Sequence, residues 1–115
     1  MTLDAPSPDP HRKAPETCAF DRRELSQILN VYGRFVAAGE WRDYAIDHLR
    51  ERAVFSIFRR AAERPVYRIE KCPRDARRQG AYSVVGMDGR ILKRGHELRS
   101  VLRVLERKLI RAVED

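Results

Sequence analysis

Three histidines, two cysteines and a ladder of evenly spaced arginines are the residues through which this chain could do chemistry. Metal binding would need two of His11, His48 and His96 close together, as in HxxxH or HExxH, and they stand far apart. His96 with Glu97 is the one local pair resembling a base and its orienter, but adjacent helix residues point in different directions. Glu97 is better explained by a place in the first turn, near the positive end of a helix dipole. Cys18 and Cys72 form no CxxC and have no histidine at ligand spacing, so free thiols are expected, not a zinc site or a disulfide framework. Ser56, Ser83 and Ser100 lie in no GxSxG elbow. Gly86, Gly89 and Gly95 fall in GMDGRILKRG, which reads as hairpin punctuation and not as a phosphate cradle. Neither an enzyme nor a bound cofactor is expected.

The arginines carry a stronger signal. Arg99, Arg103, Arg107 and Arg111 recur every four residues, so on a helix rising about 1.5 Å per residue they climb one side over roughly 18 Å. Such a ladder suits phosphates or acidic side chains, and it equally suits a solvated outer face. Lys93 and Arg94 stand just before that helix, where two cations and free backbone N–H groups could jointly hold a phosphate. A second basic segment runs from Arg59 to Arg78 and includes Arg59, Arg60, Arg74, Arg77 and Arg78. Phe55, Phe58 and Tyr67 read as core residues, leaving Trp41 as the aromatic to test as a stacking platform for bases.

Positioning these residues falls to elements that the apolar pattern predicts. Asp21 can cap a first helix, with Glu24 three residues on closing a capping box and Phe20 and Leu25 at the staple positions. Leu25, Ile28, Leu29, Tyr32, Phe35 and Val36 mark its apolar face, Gly39 ends it, and Gly33 in its middle suggests close packing. Residues 41 to 61 also fit a helical stripe, but the run AVFSIF is rich in β-branched and aromatic residues and PVYRIE alternates. Strands are therefore expected at Asp43 to Leu49, Ala53 to Arg60 and Val66 to Lys71, followed by a loop, Cys72 to Gly80. Asp88-Gly89 predicts a two-residue type I′ hairpin pairing Met87 with Arg90 and Val85 with Leu92. Leu98, Val101, Leu102, Leu105 and Leu109 then repeat at helical spacing. The fold class expected is α+β: an N-terminal helix, an antiparallel meander of four to five strands, and a C-terminal amphipathic helix packed on the sheet.

Composition bounds the rest. A chain of 115 residues supports one domain, expected over 20–115 behind a disordered tail, 1–19, that holds four of the six prolines. No run reaches the eighteen or so apolar residues of a membrane span, and the opening segment lacks the apolar stretch of a signal peptide. A cytoplasmic place without membrane contact is expected. The net charge of +7 falls wholly after residue 58, which favours encounter with acidic partners.

The strings WRDYAIDHLRERAVFSIFRR, PVYRIEKCP, RRQGAYSVV and ILKRGHELRSVLRVLE resemble an uncharacterised family of short alphaproteobacterial proteins, domain of unknown function 2794. The resemblance spans Phe20 to about Ile110. It implies a bacterial cytosolic protein and brings no activity or site residue. The order of helix, antiparallel strands and helix is also similar to the double-stranded RNA-binding fold, though the last helix lacks that fold's lysine and alanine run. The expected function is electrostatic binding of nucleic acid, RNA foremost, by the arginines named above; the alternative is an adaptor or accessory subunit binding an acidic or amphipathic protein surface.

Overall fold

Asp21 opens α1 (Arg22–Ala37) with a complete capping box: its carboxylate accepts the Glu24 N–H at 2.8 Å, and the Glu24 carboxylate accepts the Asp21 N–H at 2.8 Å. The computed structural model describes residues 17–59 and 64–114, with side chains as far as 111. At the other end of α1, Gly39 takes φ 79° while its N–H donates to the Val36 carbonyl and that of Glu40 to the Phe35 carbonyl. These are the two bonds of a Schellman motif, which only a residue tolerant of left-handed backbone closes cheaply. The buried stripe of α1 is Glu24, Ile28, Val31 and Phe35. Leu29 and Val36, expected in the core, are exposed, because the helix is rotated so that Val31 and Glu24 face inward. Gly33 is exposed with open space where a Cβ would stand, so it serves no close packing.

Five strands follow as an antiparallel meander in the order β1 to β5: β1 (Asp43–His48), β2 (Ala53–Phe58), β3 (Tyr67–Lys71), β4 (Tyr82–Gly86) and β5 (Ile91–Gly95). The strand reading of residues 43–58 is therefore the observed one, each strand a residue or so shorter than expected. Phe55 pairs with Ile46 and Ile69, and Ile69 with Val84. Paired residues share a face, so these side chains line the side that the helices cover. Phe55, Ile57, Ile69 and Val84 meet Ile28, Val31 and Phe35 of α1 and Val101, Leu102 and Leu105 of α2 (Leu98–Glu114) in one core. The apolar face expected for α2 is the buried one, though Glu97 lies before the helix and accepts the Val101 N–H through its carbonyl.

The β4–β5 hairpin departs from expectation. The Gly89 N–H donates to the Gly86 carbonyl and the Gly86 N–H to the Arg90 carbonyl, so the loop holds three residues, Met87 to Gly89, with Gly89 at φ 86°. This is a turn followed by a left-handed residue, the three-residue alternative to type I′. Val85 pairs with Ile91, and Leu92 is the extra residue of a bulge before Lys93 meets Val84.

Both helices run in the same direction across the sheet. Glu24, in the first turn of α1, meets Lys71 and Tyr82 at one end of β3 and β4, whereas Phe35 stacks on Trp41 at 3.7 Å and Trp41 approaches Tyr67 at the other end. α2 starts beside Gly95, the partner of Tyr82, and carries Lys108 to within 5.9 Å of the Tyr67 ring. Gly80 locks the loop after β3 onto this junction: at φ 100° its missing Cβ would stand 2.1 Å from the Gly95 backbone.

Candidate functional site

Parallel helices on one sheet face leave a groove between them, and here the groove is lined by guanidinium groups. Its volume is about 450 Å³; Arg34 comes from α1, Arg99 and Arg103 from α2, with Ser26, Gln27 and Asn30 along one wall and Val31 and Leu102 beneath. Arg34 donates to Glu106 across the groove at 2.5 Å. The two side chains are 48% and 33% exposed, so the pair orients Arg34 more than it stabilises the fold. Arg99 and Arg103 make no ion pair among the described residues. Four-residue spacing explains why both reach the groove: it returns a helix to nearly the same side, while Val101 and Leu102 between them turn inward.

Charge segregates by face. Besides the groove residues, the helical side exposes Arg22, Arg23, Arg107, Lys108 and Arg111 against Asp21 and Glu97. The opposite sheet face, to judge from the register, carries Asp43, Asp47 and Glu70 against Arg68 and Arg94. There Glu70 accepts from Arg68 at 3.1 Å and from Arg52 at 3.3 Å. Arg34, with Arg22 and Arg23, was not among the residues picked out from the sequence; their signal is the polar side of α1, invisible as a site until α2 lies beside it.

The other basic residues do not join this groove. Lys93 lies opposite Val84 and Arg94 opposite Ser83, so strand alternation sends them to different faces and they cannot share a phosphate at the start of α2. Arg74 is held by Glu51 at 2.6 Å. Arg77 and Arg78 are exposed on the turn leading to Gly80, at the end of the sheet where both helices begin. Arg59 stands at the opposite end, in a recess of about 490 Å³ shared with Arg64, Tyr67, Met87, Leu92 and Lys108. Arg60 lies outside the described residues, as does most of the expected tail, residues 1–16. Trp41, expected as a stacking platform, is 2% exposed and belongs to the core, because Phe35 and the Schellman turn fold it inward.

One polar cluster lies within the fold. The Glu24 carboxylate receives the Lys71 ammonium at 2.8 Å and the Tyr82 hydroxyl, beyond its capping bond, and Lys71 also donates to the Ala19 carbonyl at 2.9 Å. The Cys18 N–H donates to the Leu49 carbonyl at 2.7 Å, so the backbone joins the sheet by Cys18. Burial pushes the Tyr82 hydroxyl well above the usual phenol range, with its bond to Glu24 adding to the effect, and burial likewise raises the Cys18 and Cys72 thiols. Glu24, Lys71 and Tyr82 hold one another through these bonds, an arrangement suited to anchoring α1. His48 and His96 are exposed and separate, and both cysteines are free thiols. Among the described residues no helix is long and apolar enough to cross a membrane.

No curated protein and no solved structure matches the chain. A family model does match, over residues 18–102, from Cys18 beside the end of β1 to the second turn of α2. By that match the chain belongs to the family described as protein of unknown function (DUF2794).

Proposed function

We propose that this chain is a non-enzymatic bacterial cytoplasmic module that binds nucleic acid, RNA foremost, on its helical face. The observation that carries the reading is the groove in which Arg34, Arg99 and Arg103 stand together on the cationic side of a molecule whose other side is nearly neutral. Guanidinium groups in a row make charge-assisted bonds to phosphate oxygens. The hydroxyl and amides of Ser26, Gln27 and Asn30 add donors and acceptors able to meet a ribose 2′-hydroxyl, which favours RNA over DNA.

The test is binding of duplex and single-stranded RNA and DNA between about 50 and 200 mM salt, where six to ten phosphate contacts lose about 10³ to 10⁵ in affinity. Arg99→Glu with Arg103→Glu is expected to abolish binding, while Arg52→Glu with Arg68→Glu alters net charge equally on the other face and retains most of it. Equal losses in the two pairs, or no binding at the lowest salt, overturn the reading.

A second reading, an adaptor for an acidic amphipathic segment of a protein partner, has its own support in the recess at the far end of the sheet. Arg59, Arg64 and Lys108 surround an apolar floor of Val66, Tyr67, Met87 and Leu92 there. A partner that copurifies in fixed ratio after nuclease treatment, and is lost on Met87→Asp, would favour it.

A further inference from the structure

We propose that the chain forms a twofold dimer through β1, two copies joining their sheets edge to edge. The flank of the molecule at β1 joins exposed apolar side chains to a strand free of cations, whereas the apolar residues exposed at the β5 edge, Met87, Ile91 and Leu92, adjoin Arg90, Lys93 and Arg94. Leu29, Tyr32 and Val36 of α1 form a stripe spaced three and four residues apart, outside the core-facing side, and Tyr32 meets Tyr44 of β1 at 5.0 Å. Leu29, Val36, Tyr44 and Leu49 are 38%, 41%, 41% and 45% exposed, half of the large exposed apolar residues among those described. β1 itself holds Asp43 and Asp47 and neither lysine nor arginine. In a chain of net charge +7, a surface through which two copies meet without cation repulsion must be of this kind.

The backbone agrees. Leu49 bonds its N–H inward to Arg52, so alternation along an antiparallel edge turns the N–H and C=O groups of Tyr44, Ile46 and His48 outward, away from β2. The Tyr44 N–H confirms it, being held by its neighbour Asp43 at 2.8 Å instead of by β2. Two copies of one edge strand pair antiparallel only about a twofold axis normal to the sheet, an isologous contact that keeps both helical layers on one side.

Charge then selects the register. An axis at Ala45 sets Asp43 opposite the second copy's Asp47, a like-charge pair on one face. An axis at Ile46 sets Ile46 opposite itself, Tyr44 opposite the second copy's His48, and Ala45 opposite its Asp47. No carboxylate then faces another, and the one like-charge pair, Arg42 with the second copy's Arg50, falls beyond the ends of β1, where Arg50 has already entered the bend before β2. Ile46 exchanges two backbone bonds with its own copy, and Tyr44 trades the Asp43 carboxylate for the second copy's His48 carbonyl. The other edge cannot do this: an axis at Lys93 or Arg94 sets that cation against its own copy within β5, and an axis at Leu92 sets Arg90 against Arg94. A dimer through β1 would also present two arginine grooves on one side, although the pairing does not depend on what they bind.

Sedimentation equilibrium of the full chain is expected to show the mass rising with concentration from 13.4 kDa to twice that value. His48→Pro removes an outward N–H that no described residue accepts in the monomer, so the fold stays and the dimer dissociation constant rises about ten- to hundredfold. Ile46→Cys places two thiols across the axis at a Cα separation of about 5.5 Å, within disulfide reach, and is expected to give a covalent dimer under mild oxidation. Ala45→Cys, like the unaltered chain with Cys18 and Cys72, is expected to stay uncrosslinked. A monomeric mass at every concentration, a dimer indifferent to His48→Pro, or crosslinking through position 45 and not 46 would each overturn the proposal.

Discussion

The Tyr82 hydroxyl donates to the Glu24 carboxylate across 58 residues of sequence, tying the first turn of α1 to the start of β4. Glu24 is the third residue of α1 and already completes the capping box, so one carboxylate serves the helix end, Lys71 and Tyr82 together. The four groups act as a unit, which shapes how their substitutions combine.

Glu24→Ala is expected to lower stability by about 3 to 5 kcal/mol, because it strands a largely buried ammonium and a phenol. Tyr82→Phe removes one neutral donor and costs about 1 to 2 kcal/mol. In chemical denaturation the double variant should lose less than the two single losses combined, since Glu24→Ala has already orphaned the hydroxyl. Strict additivity would show that the two side chains do not share a network.

Alkaline pH should weaken the fold. Tyr82 in the folded chain ionises above its unfolded value of about 10, so the stability it contributes is complete below that pH and is lost as pH rises toward the folded value. Cys18 and Cys72, also raised, begin the decline from about pH 8.5 upward. Unfolding free energy measured from pH 7 to 11 should fall, and the part above about pH 10 should shrink in Tyr82→Phe.

Two glycines should respond oppositely to alanine. Gly33→Ala adds a methyl to open space in mid-helix and should stabilise by about 0.5 to 1 kcal/mol. Gly80→Ala forces a Cβ into the Gly95 backbone at a left-handed φ and should destabilise by about 2 to 5 kcal/mol. Thermal midpoints moving the same way in both variants would contradict this assignment.

Leu105→Ala should lose about 2 to 5 kcal/mol as a fully buried large-to-small change. Arg103→Ala, two residues away on the groove, should stay within about 0.5 kcal/mol in stability. Nucleic-acid affinity should move the other way, falling for Arg103→Ala and holding for Leu105→Ala wherever the fold survives.

What the sequence determined by itself was local: the Asp21–Glu24 box, the left-handed Gly39, the alternation of the strands and the leucine stripe of α2 each depend on residues within a few positions of one another. A periodicity of 3.6 or 2 is complete inside one element, so it is legible without the others. Only the tertiary structure decided which flank of α1 turns inward, since Val31 and Leu29 are equally apolar and the packing of α2 and β2 chose between them. It likewise chose the bulge at Leu92, which sets Lys93 opposite Val84, and it set Arg34 beside Arg99 and Arg103. A groove between parallel helices belongs to two surfaces more than sixty residues apart in the chain. The arginine ladder of α2 is legible in the sequence, but the wall that Arg34 and α1 set against it is not until the sheet has folded.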